Sequence, residues 1–428
     1  MRWTIGILFL ARVAMAQQPA GGSQPQSITV DEAVRRARLV QPAMVQAEGA
    51  ERTAAAAKLA ALGAFLPQVT LNSSASRPSH GVFDLNTHTV LPSTYNYTGQ
   101  LRASISAFTG IGQIANLSAA GASQSAAEAG YINQEYQTAL ATKQAFYNAL
   151  ASEDLVRAAE SQVRRTQQEL QISVEKLHAG SATRSDSLRS VVDLGNARLT
   201  LLQAQANLAN AQATLGRQIG VDGPVRAVPD TVLPALPDTM ALRSAMIESS
   251  PQVQQAEAQA RAARATLWST RTQYLPSLSI AYGDTRQDSI LANAFGRRLE
   301  TFSWTFGLSF TVFNGFTREQ NHTSARVQRD VAEATAADAR RAVSALLTQQ
   351  LAALTTAYAQ IDIAQSNLAA ATEDLRVQQE RYRVGAATIL DVLTSQASLT
   401  QADVSVVQAR FNYQIARAQL EAVLGRRL

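Results

Sequence analysis

The sequence predicts a mostly α-helical protein that also carries membrane-type β-strands, four in each copy, arranged as a twofold internal repeat. Three observations predict this class. Marker residues recur at a fixed spacing, each half holds a helix-compatible stretch of 67 or 69 residues, and each half holds paired segments in which apolar and polar residues alternate. We therefore expect a β-barrel shared between copies and continued by a long coiled-coil α-barrel.

The repeat is defined by pairs of residues that recur 205 or 209 positions apart. Between the halves, residues 224–238 contain four prolines, which forbid a continuing helix and predict an extended linker. The first repeat then occupies residues 17–223 and the second occupies residues 239–428. The marker pairs are Pro42 with Pro251, Pro67 with Pro276, Gly110 with Gly315, Gly180 with Gly385, Asp186 with Asp391, and Gly216 with Gly425.

Residues 1–16 have the pattern of a secretory signal peptide. Arg2 precedes a short apolar run at residues 5–11, and Ala14 and Ala16 supply the small residues for cleavage after Ala16. The run is shorter than the ~20 apolar residues that a membrane-spanning helix needs. The competing interpretation is a frayed cytoplasmic N-terminus. No later segment has an apolar run of that length, so a membrane location would require a β-barrel.

The composition argues against several function classes. The chain has no cysteine, which rules out disulfides, thiolate metal sites and a lipid-modified N-terminal cysteine. Its net charge is +5 and the basic residues are dispersed, so we expect no nucleic-acid partner. The four histidines lack metal-ligand spacing, and no catalytic or phosphate-binding motif occurs. We therefore predict no enzyme activity, no metal site and no cofactor.

The predicted strands lie at about residues 69–77, 95–108, 278–286 and 302–313. A period of two places the apolar and polar residues of each segment on opposite sheet faces. The polar sets are mostly Ser, Asn, Thr and Gly, which suits a water-filled interior better than the solvent face of a soluble sandwich. The residues predicted to face lipid in the last segment are Phe302, Trp304, Phe306, Leu308, Phe310 and Val312.

Four strands cannot close a barrel by themselves, because the smallest membrane barrels have about eight. An open sheet would leave unpaired backbone groups in hydrocarbon, so several copies must assemble. Two copies would give a barrel filled by its own side chains. Three copies would give twelve strands and leave a channel.

Two long helix hairpins are predicted at about residues 111–219 and 316–424. At 1.5 Å per residue the long arms would reach ~100 Å, so each needs another helix beside it along its length. A strict 4-3 spacing of seam residues predicts coiled-coil packing, and a second seam in the first hairpin predicts neighbours on both sides. In the second hairpin the seam is Leu347, Leu351, Leu354, Tyr358, Ile361, Gln365, Leu368, Thr372, Leu375, Gln379 and Tyr382. In the first hairpin one seam is Leu188, Val192, Gly195, Leu199, Leu202, Ala206 and Ala209, and the other is Val191, Leu194, Leu201, Leu208 and Leu215.

Each hairpin turns at a glycine, Gly180 or Gly385, which suits the left-handed residue that ends a helix. The chain restarts at residues 183–186 and 388–391, both of the form S/T-x-x-D that resembles a capping box. Two roles are open for Asp186 and Asp391, namely helix capping alone and capping combined with a second function.

The twofold repeat, the paired strands and the tip segment RYRVGAATILDVL at residues 381–393 resemble the TolC-like outer membrane efflux protein family of Gram-negative bacteria. The resemblance covers the whole chain after the signal peptide. It implies a homotrimer with a twelve-stranded barrel in outer-membrane lipid and a long periplasmic helical extension. It also implies docking of a periplasmic adaptor (a membrane fusion protein) and an inner-membrane transporter at the tips.

The resemblance also implies roles for residues at the tips. Asp391 matches the first of two aspartates that line the periplasmic aperture, whereas the second position is Thr394, so a double acidic ring is not expected. The position of a gate-locking basic residue is Ala387 here. The aperture candidates are therefore Asp186, Asp391, Thr394, Arg184 and Tyr382, and the adaptor-docking candidates are Leu177, Gly180, Tyr382 and Gly385.

The sequence thus predicts an outer-membrane exit duct of a tripartite efflux or type I secretion system. The rival prediction is a soluble periplasmic coiled-coil scaffold or adaptor, which would explain the heptads but not the alternation at residues 302–312. The cargo is left open between drugs, proteins and metals.

Overall fold

The computed structural model describes residues 26–84, 88–108, 112–229, 235–237, 250–291 and 300–428. The predicted signal peptide lies outside the described residues, as does part of the predicted linker. The helices are α1 (Val30–Val40), α2 (Pro42–Gly63), α3 (Gly112–His178), α4 (Arg184–Ile219), α5 (Pro251–Arg271), α6 (Thr317–Arg383) and α7 (Ile389–Leu424). The strands are β1 (Gln26–Ile28), β2 (Gln68–Ser76), β3 (Val82–Asp84), β4 (Thr89–Leu91), β5 (Asn96–Phe108), β6 (Val225–Ala227), β7 (Ser277–Asp288) and β8 (Glu300–Ser309).

The long helices α3 and α6 have 67 residues each, which makes them ~100 Å long. Their partners α4 and α7 have 36 residues each and pack along the halves of α3 and α6 that end at the hairpin turns. The shorter α2 and α5 cover the halves nearer the strands, and α3 also contacts α7. None of the described helices is long and apolar enough to cross a membrane.

Four strands form one antiparallel sheet in the order β2-β5-β7-β8. The two repeats meet inside this sheet, where β5 pairs with β7. β8 ends at Ser309, four residues before the predicted end, so Phe310 and Val312 lie outside the strand. Beyond the strand, the carbonyl oxygens of Thr311 and Val312 accept hydrogen bonds from the Arg318 guanidinium, at 3.0 and 3.1 Å, and not from a neighbouring strand.

Two small sheets were not predicted. β1 pairs in parallel with β6, which lies inside the stretch predicted to be an extended linker. Ile28 and Val225 are buried there against Phe146 and Leu215 of the first helix hairpin. β3 pairs with β4 inside the connection between β2 and β5. Strands of three residues are too short to show alternation in the sequence.

The coiled-coil seam of the second hairpin is buried, but its predicted register is wrong in part. Leu347, Leu351, Leu354, Ile361, Leu375 and Tyr382 are buried as predicted. Tyr358, Gln365 and Thr372 are exposed, and the smaller Ala357 and Ala364 are buried in place of the first two. Alanine lets the two helix backbones approach closely, which moves the larger neighbour to the flank of the interface. The Tyr358 ring lies there, 5.5 Å from the ring of buried Tyr413.

Gly216 and Gly425 match in the sequence repeat but occupy different positions in the structure. Gly425 (φ 65°) follows α7 directly, whereas Gly216 lies within α4, which continues to Ile219 and is capped by Gly220. A β-carbon on Gly216 would lie 2.3 Å from the carbonyl oxygen of Gly223. The glycine therefore allows the chain leaving α4 to fold back over the end of its own helix.

Candidate functional site

The four-stranded sheet separates polar from apolar side chains completely along most of its length. Because paired residues point to the same side, alternate residues at 68–76, 96–106, 277–287 and 301–309 share one face, which we call the polar face. It consists of Ser, Thr, Asn, Gln, Gly and Ala apart from Arg102. One row across it reads Gln68, Ser104, Ala281, Thr305.

The opposite face, which we call the apolar face, carries the large hydrophobic residues. Trp304 and Tyr282 are paired across β8 and β7, with ring centroids 5.1 Å apart. Phe302, Trp304, Phe306 and Leu308 are 63–75% exposed, because no described element covers this side of the sheet. Toward one end the apolar residues give way to Arg286, whose guanidinium pairs with Asp284 and Glu300 at 3.0 and 3.2 Å. The apolar face is thus a hydrophobic band that ends in an ion-paired cluster.

The edges of the sheet are open as well. β2 and β8 each pair on one side only within the described part of the chain. An exposed apolar face between two unpaired edges is a strong aggregation hazard in water. In water, such a sheet would associate with other chains through its edges and its apolar face.

A second uncovered surface runs along α4. Of the two seams predicted there, the second is buried only in part, since Leu194 and Leu215 are buried, Leu201 and Leu208 are half-buried, and Val191 is exposed. The other stays exposed, with Leu188, Val192 and Leu199 between 55 and 66% accessible. It borders an open groove of about 510 Å³ that α3, α4 and α7 form near Leu199, Thr400 and Val404.

The hairpin tips have the predicted local structure. Gly180 (φ 74°) and Gly385 (φ 81°) adopt the left-handed conformation, and each is followed by a capping box. Asp186 Oδ2 accepts hydrogen bonds from the backbone N–H (2.9 Å) and hydroxyl (2.8 Å) of Thr183. Asp391 Oδ2 accepts the equivalent bonds from Thr388, both at 2.8 Å.

These bonds fix the charge of both aspartates. The backbone N–H of Thr183 lowers the pKa of Asp186, and that of Thr388 lowers the pKa of Asp391, with the threonine hydroxyls adding to the effect. Asp391 is exposed. Both carboxylates are therefore ionised at neutral pH while they cap their helices, so capping and a charged aperture are compatible.

The other tip candidates are less closely connected. Thr394 is exposed, and its hydroxyl donates to the carbonyl oxygen of Leu390 at 2.8 Å within its own helix. Arg184 is exposed and forms no hydrogen bond or ion pair with any described residue. Leu177 is half-buried. Two apolar residues that the sequence reading passed over, Val384 (77%) and Leu390 (57%), are the most exposed hydrophobic side chains of the second tip.

Tyr382 is the one candidate that joins the two hairpins. Its ring is buried, and the Lys176 ammonium group lies 4.4 Å from the ring centroid and donates to the Tyr382 carbonyl oxygen. Burial raises the pKa of its hydroxyl, with Glu169 and Asp186 acting in the same direction. Lys176 escaped the sequence analysis because a lone lysine before a turn reads as an ordinary C-terminal helix residue.

Glu169 is a second residue that the sequence did not identify. It is only 2% exposed on α3, and one carboxylate oxygen has no hydrogen-bond partner. Burial raises its pKa, Lys176 opposes the shift, and Asp193 of α4 adds to it. The tip region thus contains a buried acid whose charge is incompletely compensated.

A family model described as outer membrane efflux protein matches residues 33–221 and 242–426, one segment in each repeat. The chain belongs to the outer membrane efflux protein family, and it is a protein of the outer membrane.

Curated relatives are distant. Protein CyaE of Bordetella pertussis is 24% identical over 61% of this chain and 54% of its own length. The pyoverdine export outer membrane protein OpmQ of Pseudomonas putida is 27% identical over 65% of this chain and 60% of its own length. The cation efflux system protein CusC of Escherichia coli is 22% identical over 66% and 62%. The matched part of the chain therefore spans less than two thirds of each of these relatives.

Solved structures share the fold over almost the whole chain. CusC superposes with a TM-score of 0.81 at 18% identity, covering 97% of this chain and 98% of its own. VceC of Vibrio cholerae superposes with a TM-score of 0.80 at 15% identity, covering 93% and 96%. The chain has the fold of the TolC-like outer-membrane channels.

Proposed function

We propose that this chain forms the outer-membrane exit duct of a tripartite efflux or type I secretion system and passively conducts substrates from the periplasm to the exterior. The observation that carries the proposal is the four-stranded sheet with two uncovered faces and two unpaired edges. In a bilayer the apolar face meets lipid, and pairing with other copies satisfies the edge strands. The polar face then lines a water-filled lumen.

Three copies make the most economical assembly. They supply twelve strands, whereas two would supply eight, which close around an interior filled by side chains. The exposed seam of α4 supports assembly independently, because Leu188, Val192 and Leu199 need another helix to cover them. In the trimer this seam packs against a neighbouring copy. The helices then form a periplasmic tube ~100 Å long below the barrel.

The hairpin tips are the docking surface for the partners. A periplasmic adaptor contacts the turns at Gly180 and Gly385 together with Leu177 and Tyr382, and the exposed Val384 and Leu390 add apolar area there. The chain carries no nucleotide-binding motif, so an inner-membrane transporter supplies the energy.

A soluble periplasmic scaffold is the rival function. It would use the coiled coils but would leave the apolar face of the sheet in water, where Phe302 and Phe306 alone expose two thirds of their surface. Membership of an outer-membrane family argues in the same direction.

Single-particle electron microscopy of the detergent-extracted protein tests the proposal. We expect a hollow particle with threefold symmetry, a short barrel and a helical tube ~100 Å long. A solid rod without a barrel would overturn the duct and favour the scaffold.

The aperture role of Asp391, with Asp186, Arg184, Thr394 and Tyr382 around it, needs its own test. Thr388→Ala removes the hydroxyl bonds of the capping box but keeps the carboxylate, whereas Asp391→Asn removes the charge. If three Asp391 carboxylates line the aperture, only Asp391→Asn reduces block of single-channel conductance by divalent cations. Equal behaviour of the two variants would restrict Asp391 to capping.

A further inference from the structure

The polar face of the sheet carries a single charged residue in the described strands, Arg102. It lies in the middle of β5, in a row that reads Thr70, Arg102, Gly283, Ser303 from β2 to β8. The acidic residues of these strands, Asp284, Asp288 and Glu300, all belong to the apolar face. The guanidinium of Arg102 is therefore separated from them by the sheet itself.

The surroundings of Arg102 leave its charge uncompensated. No described residue forms an ion pair with it, and its side chain is exposed. Its neighbour on β7 is Gly283, where even a β-carbon would have no contact closer than 3.7 Å, to the Ser303 hydroxyl. The side chains beside the guanidinium on the polar face are therefore small. None of the described residues offers it a carboxylate.

We propose that Arg102 is a specificity-determining residue that makes the barrel lumen attractive to anionic cargo. The inference rests on the proposed trimeric duct. Threefold symmetry places three copies of Arg102 at one level, facing one lumen in which the other polar-face residues of the described strands are neutral. Rings of Arg or Lys favour anions in pores, and low-dielectric walls strengthen the field of such a ring. The favoured cargo class is small organic anions that carry carboxylate, sulfonate or phosphate groups.

Because the chain has no cysteine, a single introduced thiol can report the electrostatic potential beside Arg102. Ser303→Cys places one thiol in the same row, two strands away, at a distance of ~10 Å. The protein is first inserted into a membrane. Its thiol is then modified from the extracellular side with one of two methanethiosulfonates, the anionic sulfonatoethyl reagent or the cationic trimethylammonioethyl reagent. The ratio of the two rates reports the local potential and does not depend on whether the periplasmic aperture is open.

With Arg102 present, the rate ratio should favour the anionic reagent. Adding Arg102→Gln should lower the ratio about fivefold at ~10 mM salt, and the difference should nearly vanish at ~1 M salt, where the Debye length is ~3 Å. Arg102→Lys should preserve the ratio. Thr305→Cys, on the same face, is a second reporter should Ser303→Cys fail to assemble.

Two controls locate the effect. Ser309→Cys lies six residues further along β8, ~20 Å away, and at ~0.1 M salt, where the Debye length is ~10 Å, its ratio should change much less with Arg102→Gln than the ratio at Ser303→Cys. Phe302→Cys lies on the apolar face and should react far more slowly than Ser303→Cys, because lipid covers it. If the rate ratio at Ser303→Cys is unchanged by Arg102→Gln, the proposed role of Arg102 is wrong, while the duct is unaffected. Phe302→Cys reacting as fast as Ser303→Cys would overturn the duct itself.

Discussion

The Lys176 ammonium group lies 4.4 Å from the centroid of the Tyr382 ring and donates a hydrogen bond to the carbonyl oxygen of the same residue. Lys176 is near the end of α3 in the first repeat, and Tyr382 is near the end of α6 in the second. One side chain therefore connects the two hairpin tips and helps to satisfy the last turn of the neighbouring helix.

Removing this connection should loosen the second tip. Lys176→Met keeps the length of the side chain but loses the cation–π contact and the hydrogen bond, at a cost of about 1 kcal/mol. Amide hydrogen exchange in residues 382–388 should accelerate about fivefold. Lys176→Arg preserves both kinds of contact and serves as the control. Unchanged exchange in Lys176→Met would show that the tips are held by the apolar contacts around Leu375 and Val392 alone.

The capping aspartates predict an acid-sensitive tip. The pKa values of Asp186 and Asp391 are lowered from 3.8 in the folded protein, so their stabilising contribution is present above pH 3.8 and is lost as the pH falls through the folded values. Exchange at the start of α7 should rise when the pH is lowered from 5 toward 3, after correction for intrinsic rates. Asp391→Asn should remove this dependence in α7 and leave it intact in α4.

The contribution of Glu169 to stability should have the opposite pH dependence. Its folded pKa is raised above the usual 4.5, so the folded tip favours the protonated acid, and the contribution of this group to stability falls as the pH rises through the folded pKa. Glu169→Gln should stabilise the lower part of the first hairpin at pH 7 by about 1 kcal/mol, because a buried, incompletely paired charge is removed. Thermal unfolding followed at pH 7 and pH 5 measures the effect. Destabilisation at pH 7 would mean that Lys176 compensates Glu169 fully.

Gly216 should be intolerant of the smallest substitution. A methyl group at this position would meet the Gly223 carbonyl oxygen at 2.3 Å and that of Val221 at 3.2 Å. Gly216→Ala should destabilise the region around β6 by about 1–3 kcal/mol through overpacking. Gly49→Ala in α2 is a matched control, because nothing lies within 4 Å of its β-carbon, and it should be neutral or slightly stabilising. Urea unfolding of both variants provides the comparison.

Adjacent residues of β8 should respond oppositely to charge. Phe306→Arg puts a guanidinium on the apolar face and should cost about 2–4 kcal/mol in a membrane, enough to reduce the yield of inserted oligomer. Thr305→Arg puts the same group on the polar face and should be tolerated. The fraction of heat-resistant oligomer on gels measures both. Equal losses in the two variants would contradict a lipid-facing apolar side.

The sequence predicted the long helices and the sheet strands to within a few residues because their periodicities persist over many turns or pleats. It misplaced Tyr358 and Gln365, since a strict 4-3 count assigns the larger residue to the seam. In the structure the helices approach through Ala357 and Ala364 instead. Close approach of backbones is a property of the pair of helices, and one helix read alone does not display it.

In the candidate site, too, local features were predicted and contacts between distant residues were not. The turn glycines and capping boxes are local patterns within four to seven residues, and they were predicted correctly. The contact between Lys176 and Tyr382 joins residues 206 positions apart, and the burial of Glu169 depends on how α4 packs on α3. Neither leaves a periodic signal in the sequence. The sequence did not show which of the two α4 seams remains exposed; in the structure Leu194 and Leu215 are buried, and Leu215 packs in one cluster with Phe146 and Leu150 of α3.

The pairing of β5 with β7 governs when this protein can fold. The two strands register Tyr97 with Asp288, and the entire first helix hairpin lies between them in the chain. A hairpin of β2 and β5 forms locally, but the sheet stays half-built until most of the polypeptide has been delivered, and contacts of such high sequence separation form slowly. During that interval the unpaired backbone groups of the edge strands are exposed and can pair with other chains. We therefore expect the yield of this protein to depend on how well the chain is protected between delivery and assembly, in addition to the stability of the folded state.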